Sequence, residues 1–219
     1  MKTIQETVEE IINKTPFISG ALNDKLINIS SLSRRIQKQV EEALKREVKE
    51  GAITMAINRI SPSENIKVRR SLKKFILTLG DFLVRSDLSD YTFKNSETIP
   101  KAIAKIMDEF SGSDDYFFTV SQGVYETNIV TSRNLISKID TIFKNEILIC
   151  SDKNLASITI KLPKGNLEQS GIYYFILKQL TWADIPVQEI ISTTHEMTLV
   201  VEEERINQTF AILMDLKKS

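Results

Sequence analysis

This 219-residue chain holds one cysteine, one histidine, seven glycines, five prolines and one tryptophan. A lone cysteine, Cys150, excludes an intramolecular disulfide and any cysteine-rich metal knuckle. With His195 as the sole histidine, neither a histidine-based metal site nor a Ser/His/Asp triad can be assembled. So few glycines and prolines leave little room for flexible linkers or low-complexity tracts. No run approaches the roughly 20 apolar residues that a membrane helix needs. The start, Met1-Lys2-Thr3-Ile4-Gln5-Glu6, carries acids early and no apolar stretch of a secretory signal. The expectation is a cytoplasmic protein with no metal, no cofactor and no membrane partner. No acid/base pair or nucleophile with its base stands out, so no enzyme and no catalytic residue is expected.

A hydrophobic fraction of 42% is ample for one large core or two to three small ones. The charge is unevenly spread. Residues 1–75 carry 15 Lys/Arg against 9 Asp/Glu, a net of +6, and the remainder of this neutral chain carries −6. A basic head with a polyanionic partner and a merely Lys-rich helical surface are both consistent with that split.

The first 60 residues read as helices. Ile4, Val8, Ile11 and Ile12 share one face of a short helix that Pro16 breaks. A longer one is capped at Asn28 or Ser30 and repeats Leu32, Ile36, Val40 and Leu44 until Gly51 ends it. Ala52 to Ile60 is a third. The stretch from Lys67 to Phe75 is basic and could be a strand. Three helices and a basic β segment are the order of a winged helix, in which Arg34, Arg35, Lys38, Lys45, Arg46, Arg59, Arg69 and Arg70 would contact DNA phosphates. The other reading is a helical packing or dimerisation domain with solvated charges.

From Phe75 onward strands and helices alternate. Phe82–Arg85 is a short strand paired with Tyr91–Phe93, and a helix runs from Glu97 to Phe110. Strands at Tyr116–Ser121 and Tyr125–Thr131 flank a turn at Gln122-Gly123, a helix follows to Phe143, and Glu146–Cys150 is a strand. Ala156, Ile158, Ile160 and Leu162 then alternate with Ser157, Thr159 and Lys161, the period of a half-buried strand. A helix from Ile172, a hairpin around Thr194-His195-Glu196 and a last helix from Glu203 complete the chain. Slid by 71 residues, the two stretches match: Val120 falls on Ile191, Ile129 on Val200, Leu135 on Ile206, and Ile139 on Phe210. The expected fold class is therefore α+β, with a helical domain over 1–74 and two βαββαβ modules over 75–150 and 151–219.

The segment Ala156-Ser157-Ile158-Thr159-Ile160, then Gly171-Ile172-Tyr173-Tyr174, Ile185-Pro186-Val187 to Ser192 and Thr198-Leu199-Val200-Val201, resembles an ACT domain. The pair is most similar to the tandem ACT region at the C-terminus of aspartokinases. No counterpart of the catalytic domain or its glycine-rich Lys-Phe-Gly-Gly start is present. Pro163-Lys164-Gly165-Asn166 stands where the family has a Val-Gly pair and a methionine. The resemblance implies an amino-acid effector held between modules and a homodimer. Its pocket would use Lys164, Gly165, Asn166, Gln169, Ser170, Gly171 and Ser192. The bare amides at the helix start after Gly171 suit a carboxylate, while an ordinary surface turn is the plainer reading of the same loop. The corresponding loop of the first repeat is expected at Ser86–Ser96. The protein then reads as a ligand-responsive regulator of a DNA- or protein-binding head, or as a non-catalytic interaction protein on the same scaffold.

Overall fold

The computed structural model of the chain describes residues 2–15, 18–23, 25–60, 71–110 and 116–218. The chain divides into two compact units, Met1–Lys73 and Lys74–Ser219.

The first unit is helical. Thr3 and Glu6 form a capping box at the start of α1 (Ile4–Lys14), each side chain accepting the other's backbone N–H. Hydrogen bonds from Lys14 and Lys2 pull the Glu10 carboxyl down to about 2. α2 (Ile18–Asn23), α3 (Ile29–Leu44) and α4 (Glu50–Arg59) follow. Asn28 caps α3, its side chain accepting from Ser31 N–H at 3.0 Å. Val8, Ile12, Leu32, Ile36, Val40, Val48, Ile53, Ala56 and Ile57 close one core, each large apolar side chain contributing about 1.5–3 kcal/mol by its burial. Gly51 does not end α3 but lies inside α4. The turn is made instead at Lys45, which takes the left-handed conformation at φ 53°. Side chains replace glycine's role there: Glu41 accepts from Val48 N–H and Gln37 donates to Val48 C=O. Four helices rather than three, α1–α4, stand within residues 2–60. Of the basic stretch from Lys67 to Phe75, expected as a strand, 67–70 lie outside the described residues, and 71–76 is helical rather than extended.

The second unit is one six-stranded antiparallel sheet. Its strands are β1 (Phe82–Lys94), β2 (Phe118–Gln122), β3 (Glu126–Ser132), β4 (Leu148–Lys161), β5 (Glu189–Ser192) and β6 (Glu196–Glu202), in the order β2-β3-β1-β4-β6-β5. Helices α5 (Ile99–Phe110), α6 (Ile136–Ile142), α7 (Ile172–Trp182) and α8 (Ile206–Leu216) intervene. The topology is duplicated: strand, helix, hairpin, helix, twice over. β1 and β4 meet at the centre, with Leu88 opposite Leu155.

Four predicted short strands are two long ones. Phe82–Arg85 and Tyr91–Phe93 lie on the single strand β1 and do not pair with each other, and the expected loop Ser86–Ser96 is mostly strand. Glu146–Cys150 and Ala156–Leu162 likewise merge into β4. The reason is a bulge in each strand. Asp87 and Asn154 both adopt positive φ, 56° and 58°, a conformation that Asp and Asn tolerate better than other side chains. Each bulge inserts one unpaired residue and reverses the alternation of faces, which from sequence looks like a strand ending.

The central strands are shared. The far half of β1, from Leu88, pairs with β3, while its near half, Phe82–Arg85, pairs with Ile160–Ser157 of β4. The far half of β4, from Leu155, pairs with β6, and Leu148–Asp152 pairs with Phe93–Asp90. Each half of the sheet is thus bordered by the opening residues of the other's long strand. A boundary between residues 150 and 151 falls inside β4.

The repeat runs at 70 residues through hairpin and helix, not 71. Gly123 N–H donates to Glu126 C=O as Thr193 N–H donates to Glu196 C=O, and β3 and β6 begin at Glu126 and Glu196. In β1 and β4 the interval is 67, carrying Asp87 onto Asn154 and Leu88 onto Leu155. An offset of 71 matched apolar types better, but one residue of slip exchanges the faces of a strand.

One face of the sheet is covered by helices. Tyr91, Phe93, Ile99, Ile106, Ile129, Ile139 and Phe143 form a core there in the first half. On the opposite face Leu88, Val130, Leu155 and Val200 make a small apolar cluster joined by Phe117 and Ile191.

Candidate functional site

Ten residues, 162–171, join β4 to α7. Leu162 N–H donates to His195 C=O at 2.7 Å, tying the loop's start to the β5–β6 turn. Successive turns follow, with Asn166 N–H on Pro163 C=O and Glu168 N–H on Gly165 C=O. Gly165 sits at φ 87° with open space around it, and Gly171 at φ 90° is the N-cap of α7. No side chain caps that helix, so Ser170 does not serve as its cap, and its first amides stay open to a negative group.

A cleft of about 400 Å³ opens at the loop's first residues. Leu162, Pro163 and Lys164 form one wall, Thr78, Gly80 and Asp81 another, with Lys161 and His195 completing it. Backbone pairing makes this meeting: Gly80 N–H donates to Lys161 C=O and Lys161 N–H to Asp81 C=O. Lys217 anchors the same corner by donating to Gly80 C=O at 3.0 Å while its ammonium lies 5.3 Å from the Phe82 ring centroid. The cleft therefore presents two exposed ammonium side chains, Lys161 and Lys164, and one carboxylate, Asp81, at the end of the sheet.

Of the seven residues expected to bind a ligand, Lys164 lines this cleft. Gly165, Gln169, Ser170 and Gly171 continue the loop beyond it, and Asn166 is buried within the loop. Ser192 is instead engaged with Tyr173, hydroxyl to hydroxyl at 2.5 Å. Thr78, Gly80, Asp81 and Lys161 were missed, since nothing local to them announces which strand they meet. His195 is a turn residue, as expected, and also a wall of the cleft.

The face of Leu88 and Val130 carries unusual acids. Asp90 is 7% exposed; burial pushes its carboxyl up, Asn128 donating at 2.6 Å opposes this, and Asp152 adds to it. Burial also raises Glu189, reinforced by the charge of Asp90. In the helical unit, Arg34 is paired with Glu50 at 3.2 Å. Arg35, Lys38, Lys45, Arg46 and Arg59 are exposed, and Arg69 and Arg70 lie outside the described residues. Among the described residues no group of three or more His, Cys, Asp or Glu could hold a metal ion, and no helix is long and apolar enough to cross a membrane.

No protein-family model matches the sequence, and no curated protein matches it. Solved structures do match in fold. A chain in a crystal structure of aspartokinase alpha and beta subunits superposes with a TM-score of 0.54 at 10% identity, covering 65% of this chain and 100% of that one. Aspartate kinase from Clostridium acetobutylicum, described as an allosteric enzyme, gives 0.53 at 14% identity over 64% of this chain and 35% of its own. The regulatory subunit of aspartate kinase from Thermus flavus gives 0.50 at 7% identity over 63% and 97%. The chain thus spans about a third of the Clostridium enzyme's length and nearly all of the Thermus subunit's. Over about two thirds of the chain the fold is the tandem ACT-like arrangement of aspartokinase regulatory regions.

Proposed function

We propose that this protein is a non-catalytic regulator whose sheet unit binds a small effector, an amino acid being the class that fits best, at the cleft beside Lys164. The supporting observation is the cleft itself: Lys161 and Lys164 offer ammonium groups to a carboxylate, and Asp81 offers the counter-charge for an ammonium. The Thermus flavus regulatory subunit of like fold supports the same reading.

The ACT-like pair acts as a homodimer in this reading, because among the described residues β2 and β5 are each paired on one side only and leave backbone donors and acceptors for a second chain. The alternative is an interaction protein with no effector. A thermal-shift panel of the twenty amino acids separates the two, since a ligand at 100 times its Kd stabilises by about 2.7 kcal/mol. We expect at least one amino acid to raise the Tm of the wild type and not of Lys164→Ala. A flat panel, or one in which no amino acid loses its shift on Lys164→Ala, would refute the site.

A further inference from the structure

A second cleft, of about 190 Å³, opens in the first half of the sheet unit between β1, α6 and the start of β4. Its floor is aromatic. Tyr91 and Phe93 stack at 6.2 Å between centroids, and Phe93 and Phe143 at 5.0 Å. Asp140 and Lys144 stand exposed at its rim, with Glu146 beside them accepting from Ser96 Oγ. The Tyr91 side chain that lines it is 3% exposed, yet its buried hydroxyl has no hydrogen-bond partner among the described residues. Leaving such a group unpaired is destabilising.

The duplicated fold supplies an internal control. The residue equivalent to Tyr91 in the second half is Ile158, and that of Phe93 is Ile160, both fully buried. Asp140 corresponds to Phe210, whose ring meets Phe82 edge to face at 6.4 Å. Where α6 stops at Ile142, α8 runs on to Leu216, and Leu213 and Leu216 are buried. The same place on the same backbone is filled with hydrocarbon in one half. In the other it is hollow, charged at the rim and furnished with an unsatisfied hydroxyl.

We infer that this cleft is a second small-molecule site, distinct from the one at Lys164, for a primary amine carried on an apolar body, with an apolar α-amino acid as its fullest match. The aromatic floor takes the apolar part. Asp140 takes the ammonium, which also has the Tyr91 hydroxyl oxygen as an acceptor, and Lys144 takes a carboxylate. About six water volumes of space suit a molecule of that size.

The test is calorimetric titration of the full chain with L-leucine, isoamylamine and 4-methylpentanoate. Leucine should bind, the amine more weakly, and the acid without nitrogen not at all. Tyr91→Phe keeps the ring and removes the hydroxyl, and should weaken leucine about tenfold, or about 1.4 kcal/mol. Asp140→Asn, at an exposed position that the fold does not need, should weaken it at least as much, and Lys164→Ala should leave it unchanged. Leucine binding that falls with Lys164→Ala and ignores Tyr91→Phe and Asp140→Asn would place the amino acid in the other cleft and overturn this inference while sparing the first. Binding of none of the three probes, or of the acid as well as the amine, would also overturn it.

Discussion

The two halves of the sheet unit share a backbone plan and differ in what they do with it. Over Leu88–Lys94 and Leu155–Lys161 the order of buried and exposed residues is the same. The loop that follows is 95–98 in the first half and 162–171 in the second. The short loop is closed by Ser96, which accepts from Ile99 N–H at the next helix; the long one leaves the cleft beside Lys164. On the helix-covered face the second half is packed and the first is hollow. On the opposite face Asp90 of the first half occupies the position of Ser157 in the second, and both are buried. Duplication has fixed the framework and freed the loops, the helix ends and single side chains to diverge.

The largest effect should come from attacking the packed half. Ile158→Ala removes a fully buried side chain and should cost about 2–5 kcal/mol in urea unfolding. Its counterpart Tyr91→Phe should be neutral or slightly stabilising, because the hydroxyl it deletes is already unpaired. Equal losses at the two positions would erase the contrast between packed and hollow. Next comes Gly80→Ala. A Cβ there would stand 2.9 Å from Lys161 Cβ, and this overpacking should cost about 1–3 kcal/mol in the same assay.

The bulges offer a sharper comparison, since they should respond alike. Asp87→Val and Asn154→Val each place a β-branched residue at positive φ and should each cost about 1–2 kcal/mol. A loss at one position only would mean that the two bulges are not structural equivalents.

The smallest effect is a pH slope. Asp90 and Glu189 have raised values in the folded chain, so the folded state binds more protons than the unfolded one. That holds from the ordinary carboxylate values, 3.8 and 4.5, up to the raised ones. Their ionisation therefore disfavours the fold at neutral pH, and their contribution to stability increases as pH falls through that window. Asp90→Ser installs the second half's residue and relieves Glu189 of a facing charge. The variant should unfold at slightly higher urea at pH 7 and show a flatter profile towards pH 4; an unaltered slope would remove Asp90 from the account.

Much of this architecture was legible in the chain itself. The apolar spacing at Ile99, Ile103 and Ile106 marked α5, and the alternation from Ala156 to Leu162 marked β4. Turn residues marked both hairpins. What failed was continuity and register. Asp87 and Asn154 read as breaks because a bulge reverses alternation just as a strand end does, and only cross-strand pairing tells them apart. The repeat was visible but set one residue off, since matching apolar types is blind to which face they occupy. Lys164 was recognisable as a loop cation. Its neighbours Thr78, Gly80 and Asp81 are brought to it by strand pairing across some eighty residues, which no local pattern encodes. Tyr91 announced nothing either, because an aromatic on a strand looks the same whether its hydroxyl is satisfied or stranded.

The crossing-over of the two long strands means that harm in this unit travels. Deleting Phe82–Arg85 would spare every hydrogen bond that β1 makes with β3, yet strip the margin from the half that begins some seventy residues later. A nick between Cys150 and Ser151 would wound both halves at once. Neither could be released as a free-standing piece, and the pair is obliged to melt, and to be inherited, together.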